Sequence, residues 1–201
     1  MLKHPFTASI AGPTGCGKTY FVFKLIENAS YMIDPPPKKI WYCFGEYQSL
    51  FRQYPQITFH EGLPDLSTFD GREPVLMIID DLMHETNDTV ANIFTRGSHH
   101  RNISVVYLTQ NLFHKNRHAR TISLNSHYMI LFKNPRDAGQ FANLARQMYP
   151  NESKFAIEAF KDATEKPFGY LLVDLKPDQG EQYRLRTNVF PDETQHVYVR
   201  K

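Results

Sequence analysis

The sequence predicts an α/β domain of the P-loop NTPase type with a largely parallel sheet, and three observations predict it. Apolar runs of strand length alternate along the chain with amphipathic runs of helical length. The run Thr7–Ala11 leads into Gly12-Pro13-Thr14-Gly15-Cys16-Gly17-Lys18-Thr19, which fits G-x-x-x-x-G-K-[ST], and an amphipathic stretch over residues 20–27 follows. Residues 75–79 are five consecutive apolar side chains, as in a strand buried on both faces, and two carboxylates, Asp80 and Asp81, emerge at their end.

Each part of the first motif has a physical task. Gly12, Gly15 and Gly17 allow backbone conformations that a Cβ obstructs, so successive N–H groups can curl around phosphate oxygens. Pro13, Thr14 and Cys16 complete the loop, and the helix beginning near Lys18 points its positive end at the same anion. Lys18 can reach the β- and γ-phosphates of a nucleoside triphosphate such as ATP, and the Thr19 hydroxyl suits Mg²⁺. A glycine-rich turn followed by chance by Lys-Thr is the bland alternative. The strand before the loop and the helix after it argue against that.

Composition sets the outer bounds. A chain of 201 residues can bury one sizeable core, and no repeat, low-complexity tract or interior linker divides it, so residues 1–201 are expected to form one domain. The net charge of +2 conceals a segregation: residues 96–136 hold seven Lys/Arg, five His and no acid, whereas residues 61–92 hold eight Asp/Glu and one Arg. The first stretch is a candidate cationic surface and the second a candidate metal-holding region. Two cysteines make no disulfide framework, so a reduced, intracellular setting is expected. No apolar run approaches the ~18 residues of a membrane span, and no signal-peptide pattern opens the chain, so no membrane anchorage is expected.

Along the chain, the helix after the loop should carry Phe21, Leu25, Tyr20 and Phe23 on neighbouring faces and end near residues 29–30. Pro35-Pro36-Pro37 excludes helix. Residues 39–44 and 56–62 read as strands. Asp80, at the carboxyl end of its strand, falls on the phosphate side of a parallel sheet and is the candidate Mg²⁺ anchor. Asp81 is the candidate for orienting or deprotonating an attacking water, with a helix cap as its alternative role. A helix over residues 88–95 and a strand over residues 103–109 follow. Gln110, at the end of that strand, suits hydrogen bonding to the γ-phosphate or the water, although Gln110-Asn111 also suits a plain turn. Residues 111–125 read as an irregular basic segment, and residues 127–133 as a strand. Asn134 should cap a helix with Pro135 in its first position, its stripe made by Phe141, Leu144, Ala145 and Met148. A helix over residues 151–164 and two closing strands, residues 170–175 and 183–187, complete the pattern. His99, His100, His114 and His118 lack partners at zinc-like spacings and read as surface or nucleic-acid-facing groups.

In this order, the P-loop, the Asp80-Asp81 pair, the basic segment 96–101, the strand ending in Gln110-Asn111, and Arg120 followed by Asn125 resemble the FtsK–HerA superfamily. The likeness is greatest to the small genome-packaging ATPases of eukaryotic DNA viruses and Polinton/Maverick elements, and it covers about residues 5–175. The segment Thr121-Ile122-Ser123-Leu124-Asn125 through Asp137 looks much like those proteins. The resemblance implies a RecA-like fold with helices on both sheet faces and a ring of identical subunits. It also implies ATP and Mg²⁺ as cofactors, and pumping of double-stranded DNA into a capsid with a capsid or portal protein as partner, inside the host cell at assembly sites. Arg120 takes the place of an arginine acting across the subunit interface, with Arg101 and Arg136 as lesser candidates. Asp81 departs from the pattern, since many members carry Glu there. Residues 114–120 and the aromatic-rich residues 47–54 are both candidates for contacting DNA. Two other classes compete. A P-loop nucleoside or nucleotide kinase would need an acceptor pocket and an Arg-rich lid. A non-packaging DNA-translocating ATPase, such as a phage-assembly ATPase, generally has a transmembrane segment.

Overall fold

The computed structural model describes residues 1–80, 82, 87–98, 101–111, 117–137 and 139–200. The strands are β1 (Leu2–Lys3), β2 (Thr7–Ala11), β3 (Ile33–Asp34), β4 (Lys39–Phe44), β5 (Thr58–Glu61), β6 (Val75–Asp80), β7 (Ile103–Thr109), β8 (Tyr128–Phe132), β9 (Tyr170–Asp174), β10 (Leu185–Thr187) and β11 (His196–Tyr198). The helices are α1 (Lys18–Glu27), α2 (Ala29–Met32), α3 (Asn87–Asn92), α4 (Arg117–Leu124), α5 (Gly139–Met148) and α6 (Ser153–Ala163), and α3 runs on as a π turn over Ile93–Gly97.

One sheet of nine strands runs in the order β11-β10-β9-β8-β2-β7-β6-β4-β5. From β5 to β8 every pairing is parallel, and β9, β10 and β11 close the other edge antiparallel. Side-chain alternation divides the parallel strands between two faces. Leu76 and Ile78 of β6, Val106 and Leu108 of β7, and Ile130 of β8 pack beneath α1 with Phe21, Val22 and Leu25. Val75, Met77 and Ile79 of β6, with Ile103 and Val105 of β7, face the other way onto Val90, Ile93, Phe94 and Ile122. Met129 and Leu131 of β8 meet α5 and α6 on that second face. Strands covered on both sides have no polar side to show, which is why β6 reads as an unbroken apolar run. Each large aliphatic side chain buried here stabilises the fold by about 1.5–3 kcal/mol relative to exposure. The fold is therefore the expected α/β P-loop class, RecA-like and mostly parallel, with helices on both faces.

Several elements differ from the sequence expectation. Residues 117–124 form a helix and not an irregular segment, because Ile122 is buried among Val90, Ile93 and Phe94, and one apolar anchor is too little for a periodic signal. Asn134 does not cap a helix. Its Oδ1 accepts the Arg136 N–H at 3.2 Å, forming a local turn, and α5 begins only at Gly139. Tyr20 is 71% exposed and lies off the apolar face of α1. In the aromatic segment 47–54, Phe51 is buried and stacks on Phe59 at 4.4 Å, and Tyr54 packs against Phe23, which leaves Tyr47 as its exposed ring. β1, β3 and β11 have two or three residues each, too few to print a pattern. Among the described residues no helix is long and apolar enough to cross a membrane.

Candidate functional site

The loop between β2 and α1 is shaped by what its glycines exclude. A Cβ on Gly12 would lie 2.6 Å from Cys16 Sγ and 2.8 Å from Phe132 Cβ, so only hydrogen fits there. The Gly12 N–H donates to the Thr109 carbonyl at 3.2 Å, which ties the start of the loop to the end of β7. Gly15 and Gly17 lie in the left-handed region, at φ 77° and 107°, and Gly17 is the residue from which α1 starts. The Cys16 N–H donates to the Pro13 carbonyl, closing the turn. Burial raises the Cys16 thiol above its ordinary pKa, against the opposing pull of the nearby Lys18 charge.

The charge pattern of this loop favours an anion. The first turn of α1 has no acidic residue to neutralise its positive end. Lys18 Nζ donates to the carbonyls of Gly12 at 2.7 Å and Pro13 at 3.0 Å, which holds the ammonium across the loop. A cleft of about 360 Å³ opens here, lined by Thr14, Lys18, Thr19, Gln48, Asp80 and Gln110 among others. It lies beyond the carboxyl ends of β2, β6 and β7, where the chain leaves β2 first toward one sheet edge and later returns to β8 on the other. Open α/β sheets take ligands at such a point.

Asp80 belongs to the same alternation as Leu76 and Ile78, so it faces the α1 side of the sheet. Tyr42, fully buried on neighbouring β4, donates its hydroxyl to Asp80 Oδ2 at 2.6 Å. Burial, and then the adjacent Asp80 charge, push the Tyr42 pKa far up, so the proton stays on the phenol and the carboxylate accepts. Thr19 and Asp80 thus present two hard oxygen donors to one cleft. Mg²⁺ binds through one or two protein oxygens plus phosphate oxygens, so this donor set fits it. Among the described residues no three His, Cys, Asp or Glu converge on a point. Gln110 follows Leu108 on the same face and lines both this cleft and a smaller adjoining cavity with Gly12, Phe132 and Asn134.

Thr14, Gly15, Gly17, Lys18 and Thr19 of the loop line one cleft with Asp80 and Gln110. Asp81 lies outside the described residues, as do His99, His100, His114 and Lys115. Arg120 is exposed on α4 and does not line the cleft of its own chain. Asn125 closes the end of α4, its Nδ2 donating to the Thr121 carbonyl at 2.8 Å. Arg101 Nη1 donates to the Leu66 carbonyl, which assigns that side chain to holding a loop. His118 Nδ1 is 3.4 Å from Asp88 Oδ1, a surface contact between α4 and α3. Two residues of the site escape sequence reasoning. Gln48 is an ordinary loop amide until the fold places it, and Tyr42 looks like any strand aromatic. A buried Tyr does need a partner for its hydroxyl, and that is the one signal it gives.

The chain matches no protein-family model, and none of the curated proteins matches it. Among solved structures it is similar to the genome packaging NTPase B204 from Sulfolobus turreted icosahedral virus 2 in complex with ATP-gammaS, with a TM-score of 0.53, 15% sequence identity and coverage of 96% of each chain. At this identity the likeness is one of fold.

Proposed function

We propose that this chain is an ATP-hydrolysing motor that moves double-stranded DNA into a viral capsid, of the kind found in eukaryotic DNA viruses and Polinton/Maverick elements. The observation that carries the reading is the convergence of Lys18, Thr19, Asp80 and Gln110 on one cleft at the carboxyl ends of the parallel strands. The shared fold with a viral genome packaging NTPase supports it over other P-loop classes. Lys18 and the loop N–H groups offset phosphate charge, and Thr19 and Asp80 would hold a Mg²⁺, which would supply further neutralisation of phosphate charge. Water attacks the γ-phosphorus, the bond to the β–γ bridging oxygen breaks, and ADP and phosphate leave. Gln110 orients that water and Asp81 accepts its proton. Arg120 of a neighbouring copy stabilises the transition-state charge in a homo-oligomeric ring, and basic side chains from the stretch 96–136 contribute to a channel for duplex DNA. The ring works with a capsid or portal protein inside the host cell at assembly sites.

Turnover of ATP with and without long duplex DNA tests this. The expected result is Mg²⁺-dependent hydrolysis accelerated by DNA and absent in Lys18→Ala. Hydrolysis indifferent to DNA, with phosphoryl transfer to a small acceptor, overturns the motor in favour of a kinase.

A further inference from the structure

A second cleft, of about 450 Å³, adjoins the phosphate loop and shares Gly17 and Tyr20 with the first. Between them, the two clefts run from the P-loop around the start of α1. The walls of the second come from α1, the loop 163–169 and the segment after β10. Its floor is aromatic: Phe21 meets Tyr170 at 4.9 Å and Phe190 at 5.0 Å. Lys24, in that floor, is neutralised by Asp192 at 3.0 Å and Glu193 at 2.8 Å and lies over the Phe190 ring, and Lys166, Asp162 and Glu165 also line the cleft. The cleft thus has an aromatic floor and, with Lys24 and Lys166 against Asp162, Glu165 and Glu193, no excess of positive charge, unlike the phosphate loop beside it.

At its mouth stand two rings that ordinary packing does not explain. Tyr20 is 71% and Phe168 67% exposed. Phe168 also has φ 63°, a backbone state that a bulky side chain rarely adopts and that is found where the surroundings over-determine it. The surroundings do so here. A Cβ on Gly169 would lie 2.5 Å from the Ala163 carbonyl oxygen and 3.2 Å from Thr164 Cα, and the Gly169 N–H donates to the Lys166 carbonyl at 3.0 Å. The tight turn that follows α6 leaves the Phe168 ring against Gly17, 3.3 Å from where a Cβ on that residue would be. A strained backbone thus holds an exposed aromatic face over the phosphate loop.

We propose that this cleft is the nucleoside subsite: the base of the nucleotide stacks on Phe168, and Tyr20 borders the path from the phosphates to the base. The inference rests on the nucleotide-binding reading above and adds the recognition of the half of the ligand that the P-loop does not touch. A stacked base contributes about 10- to 100-fold in affinity by alanine substitution. The floor needs no charged partner, which suits a neutral base and not a second phosphate group.

The test uses the full chain and two probes, Mg·ATP and Mg·tripolyphosphate, titrated calorimetrically against wild type, Phe168→Ala and Phe168→Tyr. The expected result is that Phe168→Ala weakens ATP by about 10- to 100-fold, leaves tripolyphosphate unchanged, and that Phe168→Tyr restores ATP binding. Unchanged ATP binding in Phe168→Ala overturns the subsite. Equal weakening of both probes also overturns it, because Phe168 then acts on the phosphate loop through Gly17. Either failure leaves the ATPase reading standing. A wild-type protein that binds neither probe overturns that reading and the subsite together.

Discussion

The hydroxyl of Tyr42 lies 2.6 Å from Oδ2 of Asp80, donated from the strand next to it. The register pairs Tyr42 with Ile78 and Phe44 with Asp80, so the phenol reaches along the sheet to the end of β6. There it fixes the rotamer of the carboxylate assigned to Mg²⁺.

Tyr42→Phe is the variant that isolates this bond, since the ring keeps its stack on Phe23 and its contacts with Phe51 and Phe59. Groups that orient a metal ligand from behind are typically worth about 10- to 100-fold in metal affinity. The Mg²⁺ concentration that half-saturates Mg-dependent nucleotide binding should therefore rise by at least about tenfold, with Mg-free nucleotide binding unchanged. An unaltered Mg²⁺ dependence would mean that Asp80 holds its rotamer without help, and that Tyr42 serves the core alone.

Gly12→Ala should damage the loop whatever surrounds it. The new methyl meets Cys16 Sγ at 2.6 Å and Phe132 Cβ at 2.8 Å. The first obstacle is removable and the second is next to backbone. Overpacking of this kind costs about 1–3 kcal/mol, and the loop is where it would be relieved. Pairing Gly12→Ala with Cys16→Ala should therefore recover only part of the lost thermal stability and nucleotide affinity. Full recovery in the double variant would show that Phe132 yields and that the close approach is not a constraint.

The parts of this fold that were legible in the sequence are those with a private signal. β2, β4 and β7 match their predicted bounds because each is a short run with apolar or aromatic residues at its centre, bounded by breakers or turn residues: Pro5 and Gly12, Pro37 and Gly45, Asn102 and Gln110. The P-loop was legible because three glycines, a lysine and a threonine at fixed spacing serve one anion. What was not legible depends on partners distant in sequence. Helix α4 follows from Ile122 finding Val90 and Ile93, and Tyr42 matters because β4 lies beside β6. The exposure of Phe168 is set by a turn at Gly169 that sequence reading passes as an ordinary loop.

The buried pair of Asp174 and Arg186 lies away from the cleft, on the antiparallel edge, with Nη2 to Oδ2 at 2.8 Å and side-chain exposures of 3% and 11%. The Arg186 Nε has no partner among the described residues. Burial raises the Asp174 carboxyl pKa in spite of the guanidinium beside it, so desolvation outweighs the pairing. Removing one partner strands a charge and should cost about 3–5 kcal/mol. Replacing both, as Asp174→Leu with Arg186→Met, should return stability to within about 1 kcal/mol of wild type or above it. A double variant that stays as unstable as the single ones, read by denaturant unfolding, would show the pair to be a net stabiliser over its apolar replacement.

Arg120 supplies the sharpest test of the proposed ring. It is exposed on α4 and does not line its own cleft, so any role in transition-state stabilisation has to be played in a neighbour's site. An arginine supplied in trans typically contributes about 10³- to 10⁵-fold to phosphoryl transfer, whereas a solvated surface arginine contributes nothing measurable. Arg120→Ala alone should therefore lose at least about a thousandfold in kcat while still binding Mg·ATP. Lys18→Ala, which lacks the cradle, should be inactive for a separate reason. Mixed in one assembly, the two inactive chains create some interfaces where an intact P-loop meets an intact Arg120 from next door, and activity should return in part. The recovered fraction should follow the mixing ratio, with a maximum near equal proportions. Co-assembly demonstrated without any recovery would place Arg120 outside the active interface, and near wild-type turnover in Arg120→Ala would remove it from the mechanism.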